Sequence, residues 1–156
     1  MKRKISILLA FFLMLVGNDA SAVERNYLRR SYSQAPTNKA LCQSLIADLK
    51  NHRRDYVDLA YLGGLQTIWA NHVFNPLSKL QTFKEGRSKV EKAVQEAPDN
   101  FEVRLVRLSI QKNAPRFLGY YQHIDQDEQF LRSRLSAVES PLLVQIAGSL
   151  LAQPES

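Results

Sequence analysis

The chain has 156 residues, 45% of them hydrophobic and 23% charged, and a formal net charge of +6. This length is enough for one domain with a real apolar core and too short for two. The basic residues are spread along the chain instead of being gathered in one segment, which argues against a nucleic-acid partner and favours a role in solubility, with weak attraction to an anionic envelope surface left open.

The first 22 residues have the pattern of a secretory signal peptide. Basic residues at positions 2–4 precede an apolar stretch at 5–17, and Ala20-Ser21-Ala22 then offers a small-residue cleavage site. The apolar stretch is shorter than the ~20 residues that a membrane-spanning helix needs. We therefore expect residues 1–22 to be removed and the protein to be exported, periplasmic or extracellular, with no transmembrane segment after processing.

Cys42 is the single cysteine, so an internal disulfide is excluded and stability must come from packing. It shares helical spacing with Leu45 and Leu49, which predicts a small core residue. No motif around it supplies the partner base of a catalytic thiol.

Residues 23–36 are interpreted as a flexible basic segment and residues 37–153 as a helical domain. Across that domain apolar residues recur every three or four positions behind residues that cap helices, and no alternating run predicts a strand. The sequence therefore predicts an all-α single domain of five to six helices. These helices are predicted to begin after Asn38, at Asp55, and after Asn75, Asn100, Asp125 and Ser140, with the first four ending near His52, His72, Pro98 and Lys112.

The second predicted helix has a face of small residues. These residues fall within a third of a turn of one another: Ala60, Gly63, Gly64, Thr67 and Ala70. A glycine inside a helix costs ~1 kcal/mol relative to alanine, so two glycines need a compensating gain. Close approach of a neighbouring helix is the gain we expect.

The third helix resembles the second half of a tetratricopeptide repeat. Gly86, Val90, Ala93 and Pro98 have the small, large, alanine and proline spacing of that family. The preceding helix departs from the repeat, across a break at residues 75–76. The resemblance implies antiparallel, tetratricopeptide-like helix pairs and no particular ligand.

A wider part of the chain is similar to a group of small exported bacterial helical proteins whose activity is uncharacterised. The similarity is carried by the segments 61–64, 70–77, 113–115 and 117–120. It implies export and a helical fold, and it transfers no activity.

Arg104 and Arg107 lie three residues apart on the polar stripe of a helix whose other sides are apolar. The planar guanidinium suits a carboxylate or phosphate ligand. The alternative is structural pairing with acidic neighbours such as Asp55, Asp58 or Glu102.

The histidines do not predict a metal site. His52, His72 and His123 lack the close spacing of a zinc motif. His72 shares a helix side with apolar residues, so it is either a satisfied, partly buried histidine or a functional one.

The segment 113–121 is unusually aromatic for a connection, and either folds back as a lid over the helix ends or forms a pocket wall. In an antiparallel stack Asn113 would neighbour the end of the second helix, where an amide and a histidine would suit a small polar or peptide-like ligand. The candidate ligand-binding residues are Asn71, His72, Arg104, Arg107, Asn113, Phe117, Tyr120 and Tyr121.

The function favoured by these patterns is a non-enzymatic exported scaffold that binds a protein or peptide partner, because stacked helix pairs form grooves for such partners. No catalytic residue and no cofactor is predicted. Two alternatives stay open: a small envelope hydrolase using His72, and a peripheral envelope-surface protein held by Arg25, Arg29 and Arg30.

Overall fold

The structure is a computed structural model that describes residues 24–154, and the expected signal peptide lies outside those residues. Within that part of the chain there are seven α-helices and no strand, so the all-α prediction is confirmed with one helix more than expected. The helices are α1 (24–34), α2 (Lys39–His52), α3 (Tyr56–Trp69), α4 (Pro76–Glu96), α5 (Phe101–Asn113), α6 (Ile124–Arg134) and α7 (Pro141–Leu151). Single 3₁₀ turns follow at Ala70–His72, Arg116–Leu118 and Leu135–Ala137.

Short polar residues fix the starts of most helices, as predicted. The Asn38 side chain accepts a hydrogen bond from the Leu41 amide at 3.0 Å, and Asn75 accepts from the amides of Leu77 and Ser78. These bonds satisfy backbone donors that a helix N-terminus leaves unpaired. Equivalent caps are supplied by Asp55, Asn100 and Ser140.

The start of α6 differs from the prediction. Its N-cap position is His123, which makes no capping hydrogen bond, and the expected cap Asp125 lies inside the first turn. There its carboxylate still interacts favourably with the positive end of the helix dipole. An acidic residue is favourable both at the N-cap and in the first turn of a helix, so the sequence pattern placed the start of α6 two residues too late.

The segment expected to be flexible forms α1 and packs against the domain. Leu28 is 4% exposed, and the Arg29 guanidinium makes two hydrogen bonds to the Glu102 carboxylate, at 2.8 and 2.7 Å. Arg25 pairs with Asp58 at 2.7 Å. The acids that hold α1 belong to distant helices, which is why the local composition suggested a free basic segment.

The small face of α3 allows the close helix approach that its glycines predicted. A Cβ added to Gly63 would lie 2.6 Å from the Gly86 carbonyl oxygen on α4, and one added to Gly86 would lie 2.5 Å from the Gly63 oxygen. A Cβ on Gly64 would instead meet the Tyr32 hydroxyl of α1 at 2.5 Å. The central helix α3 is therefore packed closely on both sides.

Two apolar clusters make the core, and α5 belongs to both. Its Val103, Val106 and Ile110 pack into the larger cluster with residues from α1 to α4, while Leu105 and Leu108 pack with α6 and α7. The two apolar sides predicted for this helix are confirmed. Among residues 24–154, no helix combines the length and the apolar character needed to cross a membrane.

Candidate functional site

The polar stripe of α5 is buried against α6. The Arg107 guanidinium makes two hydrogen bonds of 2.7 Å to the carboxylate of Asp127, which is fully buried, and Arg104 forms an ion pair with the same carboxylate. The Gln111 amide adds a longer bond to it, at 3.4 Å. Arg104 and Arg107 therefore pair within the protein, with Asp127 in place of the acids that the sequence suggested, and they do not reach a surface cleft.

Tyr120 attaches the aromatic segment 113–121, which joins α5 to α6, to the side of α4. Its ring is 1% exposed, its hydroxyl donates to Glu91, and the guanidinium of Arg87 lies 4.6 Å from the ring centroid. Burial, reinforced by the Glu91 carboxylate, raises the pKa of Tyr120 well above its ordinary range. The buried phenol anchors one end of the segment 113–121, while Ala114 and Leu118 pack against the core and the exposed Phe117 stays available to form a wall.

His72 holds α1 to the end of α3. Its Nε2 lies 3.2 Å from the Ala35 carbonyl oxygen, and its ring packs against Trp69 with centroids 5.6 Å apart. This is the arrangement of a satisfied, partly buried histidine. The neighbouring Asn71 is exposed.

A groove of about 1100 Å³ lies between α1 and α7. Its sides and floor come from α1, α3, α5 and α7, and the start of α4 and the segment 113–118 line it as well. The apolar lining residues include Ile68, Leu80, Phe83, Leu105, Val106, Ile110, Phe117, Leu142 and Ile146. Phe117 is 86% exposed, so this wall presents an unpartnered aromatic ring to the groove mouth.

Hydrogen-bonding groups and cations complete the lining. The uncharged polar residues include Ser33, Gln34, Asn71, Ser109, Asn113, Gln145, Ser149 and Gln153. The charged lining residues are Arg29, Arg30 and Lys79, with no aspartate or glutamate among the described residues that line the groove. Arg29 is already paired with Glu102. The side chains of Arg30 and Lys79 are exposed.

The structure brings three of the predicted site residues together. Asn71, Asn113 and Phe117 line the groove. His72 lies beside it, and Tyr121 is exposed with the Arg116 guanidinium 5.1 Å from its ring centroid. The remaining candidates, Arg104, Arg107 and Tyr120, are core residues.

Sequence reasoning missed the α7 wall. Gln145, Ser149 and Gln153 recur every four residues, the first two on α7 and the third two residues beyond its end, and they form a polar row along a helix that is otherwise apolar. That spacing was visible in the sequence, but a polar row on a terminal helix normally faces solvent. Only the position of α1 opposite it turns the row into a groove wall.

The groove carries no metal-ligand cluster. Over the described range 24–154, no three histidine, cysteine, aspartate or glutamate side chains are grouped so as to hold a metal ion. The chemistry that the groove offers is apolar contact, hydrogen bonding and positive charge.

Comparison with known proteins gives no family for this chain. No protein-family model, curated protein or solved structure matches it. The functional assignment therefore depends on the geometry and chemistry of the groove.

Proposed function

We propose that this protein is a non-enzymatic helical scaffold that binds a peptide segment of a partner protein in the groove between α1 and α7. The observation that carries the proposal is the groove itself, with its apolar floor and its rim of amides and hydroxyls. Its volume of about 1100 Å³ lies at the upper limit of the roughly 300–1,000 Å³ of typical small-molecule pockets. A peptide with alternating apolar and polar side chains fits this lining better than a small compact ligand does.

The helix order supports the same proposal. Five helices, α1, α3, α4, α5 and α7, contribute to the groove, while α2 and α6 contribute nothing to it. In stacked helix pairs a surface shared among several helices forms an extended binding surface. The tetratricopeptide-like interpretation belongs to this proposal, with Gly63 and Gly86 as the small residues at the contact of one pair.

The alternatives receive less support from the side-chain contacts. The His72 Nε2 is engaged by the Ala35 carbonyl, which suits a ring that holds two segments together better than a general base. Of the three arginines considered for envelope attachment, Arg25 and Arg29 are in ion pairs with acids of α3 and α5. A peptide-binding role uses the groove without requiring either group to be free.

The proposed site of action is the exported space. The leader pattern of residues 1–22 supports this location. Expression of the full chain, followed by fractionation and mass measurement of the exported form, tests it. A mature protein beginning at Val23 is the expected result, and retention of the whole chain in the cytoplasm would contradict export.

Selection from a random peptide library displayed on phage tests the binding function. The exported protein is used as bait, and enriched peptides are measured by fluorescence anisotropy. Gln145→Trp fills the groove from the exposed wall of α7, while Gln43→Trp makes the same change at an exposed position of α2 outside the groove. Circular dichroism checks that both variants fold.

We expect enriched peptides to bind the wild type and the Gln43→Trp variant alike. The Gln145→Trp variant should bind them at least roughly tenfold more weakly, because a bulky ring excludes the contacts of a bound segment. Failure to enrich any peptide, or equal binding by both variants, would refute the proposed function.

A further inference from the structure

All the charged residues that line the groove are basic, and two of them form no ion pair within the described part of the chain. Arg29 is neutralised by Glu102 inside the wall. Arg30 and Lys79 are exposed, and neither forms an ion pair with any residue between 24 and 154. Several cations outside the groove pair with acids, namely Arg25, Arg54, Arg104, Arg107, Lys112, Arg132 and Arg134. Other exposed cations, such as Arg53 and Lys92, lie outside the groove, so what distinguishes Arg30 and Lys79 is that they line it.

Lys79 is also in an unfavourable place in the free protein. It is the fourth residue of α4, whose first turn contains no acidic residue. The N-terminal end of a helix carries a partial positive charge, so a lysine there is repelled by the helix dipole. A carboxylate brought to this end of the groove would interact favourably with both the ammonium and the helix terminus.

Arg30, on α1, offers a second anchor for a carboxylate. A guanidinium accepts a carboxylate through two parallel hydrogen bonds, which adds geometric specificity to the charge. The same lining contains apolar residues such as Val106 and Ile146. The groove therefore combines carboxylate-binding groups with a surface for apolar side chains.

We infer that the peptide bound in this groove is acidic: a segment whose apolar side chains pack on the floor and whose carboxylates pair with Arg30 and Lys79. The inference depends on the proposed peptide-binding function and adds the chemistry of the partner. Charge complementarity carries it, because a basic segment would be repelled by both cations and would meet no acid in the lining.

The same library selection, run on three baits, tests the inference. The first bait is the wild-type protein, and the second is the double variant Arg30→Glu/Lys79→Glu. The third is the control Arg53→Glu/Lys92→Glu, which makes the same change of net charge at exposed positions outside the groove. The most enriched wild-type peptide is then resynthesised with its acidic residues replaced by glutamine, and its affinity is measured at low and high salt.

We expect peptides selected on the wild type and on the control to be rich in aspartate and glutamate, and peptides selected on the double variant to be rich in lysine and arginine. The glutamine peptide should bind the wild type roughly tenfold more weakly, since two partly exposed ion pairs are lost. High salt should reduce that difference by screening.

The outcomes separate this inference from the function on which it depends. Enriched peptides that are neutral or basic, yet lose binding to Gln145→Trp, would refute the acidic partner and leave the peptide-binding function intact. An acidic preference that is lost equally in the double variant and in the control would also refute it, because net charge alone would then be the cause. So would an acidic preference that survives in the double variant, because groups other than Arg30 and Lys79 would then bind the carboxylates. If no peptide is enriched on any bait, the proposed function and the inference both fail.

Discussion

Replacing Gly63 by alanine tests whether the contact between α3 and α4 is as close as described. The new Cβ would lie 2.6 Å from the Gly86 oxygen, 2.7 Å from Val90 Cγ2 and 2.9 Å from the Val90 nitrogen, whereas ordinary contact begins at 3.4 Å. Two of these three atoms belong to the backbone of α4, so a rotamer change cannot make room. The two helices must move apart by nearly an ångström along their most extensive interface.

The magnitude follows from two opposing terms. Alanine improves helix propensity by ~1 kcal/mol. Overpacking a close contact typically costs ~1–3 kcal/mol or more, and a gap of 0.5–1 Å along the rest of the interface sacrifices a quarter to a half of its dispersion energy. We expect a net destabilisation of about 2 kcal/mol, which lowers the melting temperature by roughly 5–10 °C for a domain of this size.

Urea unfolding followed by circular dichroism measures the change, and Gly148→Ala provides the matched control. Gly148 lies in α7, and a Cβ there would meet no atom within 4 Å. The control should therefore gain ~0.5–1 kcal/mol from helix propensity alone. If Gly63→Ala were as stable as the wild type, or gained as much as the control, the close contact would be wrong.

Three further predictions concern buried groups. Asp127→Ala should lower the free energy of unfolding by ~3–5 kcal/mol, because it leaves the buried Arg104 without an acidic partner and Arg107 with Glu91 alone. The exposed Asp125→Ala should lower it by less than ~1 kcal/mol, and equal losses in urea titration would refute the buried ion pair. Burial raises the pKa of Tyr61 and Tyr120 above the ordinary 10.0, so their stabilising effect is present below about pH 10 and is lost as the pH rises further. The part of the tyrosinate absorbance that comes from the buried tyrosines should then appear together with the loss of helical signal, and ionisation of all six tyrosines in the folded protein would contradict this. Cys42 is fully buried, and burial raises the pKa of its thiol to about 11. It should therefore react with a disulfide reagent only as the protein unfolds, and rapid reaction in native buffer would show that the thiol is accessible.

Local signals account for most of the fold that the sequence predicted. Asn38, Asn75 and Ser140 cap helices because their side chains bond to amides only two or three residues away. Apolar spacing along one helix is likewise a local property, which is why both apolar sides of α5 were visible. The helix α1 was missed because its stabilising partner, Glu102, lies 73 residues from Arg29.

The site was less predictable, because which polar groups line it depends on how the helices are placed. Arg104 and Arg107 looked available, but Asp127 comes from a helix whose packing partner the sequence does not specify. Nothing in the local sequence around Arg30 and Lys79 distinguishes them from the other solvent-exposed cations. Asn71, Asn113 and Phe117 were found because they adjoin helix ends, which a hairpin stack brings near one another.

The division of α5 between two apolar clusters has a consequence for ligand entry. α7 forms one wall of the groove but belongs to the smaller cluster, so we expect α6 and α7 to open before the helices of the larger cluster, once the buried pairs between Asp127 and α5 are broken. Amide hydrogen exchange in α7 should then be faster than in α3, and an occupant bridging α1 and α7 should slow it. The time for which an occupant stays bound would then depend on how often the hairpin of α6 and α7 opens. A substitution at the contact between α5 and α6, which does not touch the occupant, would therefore change its release rate.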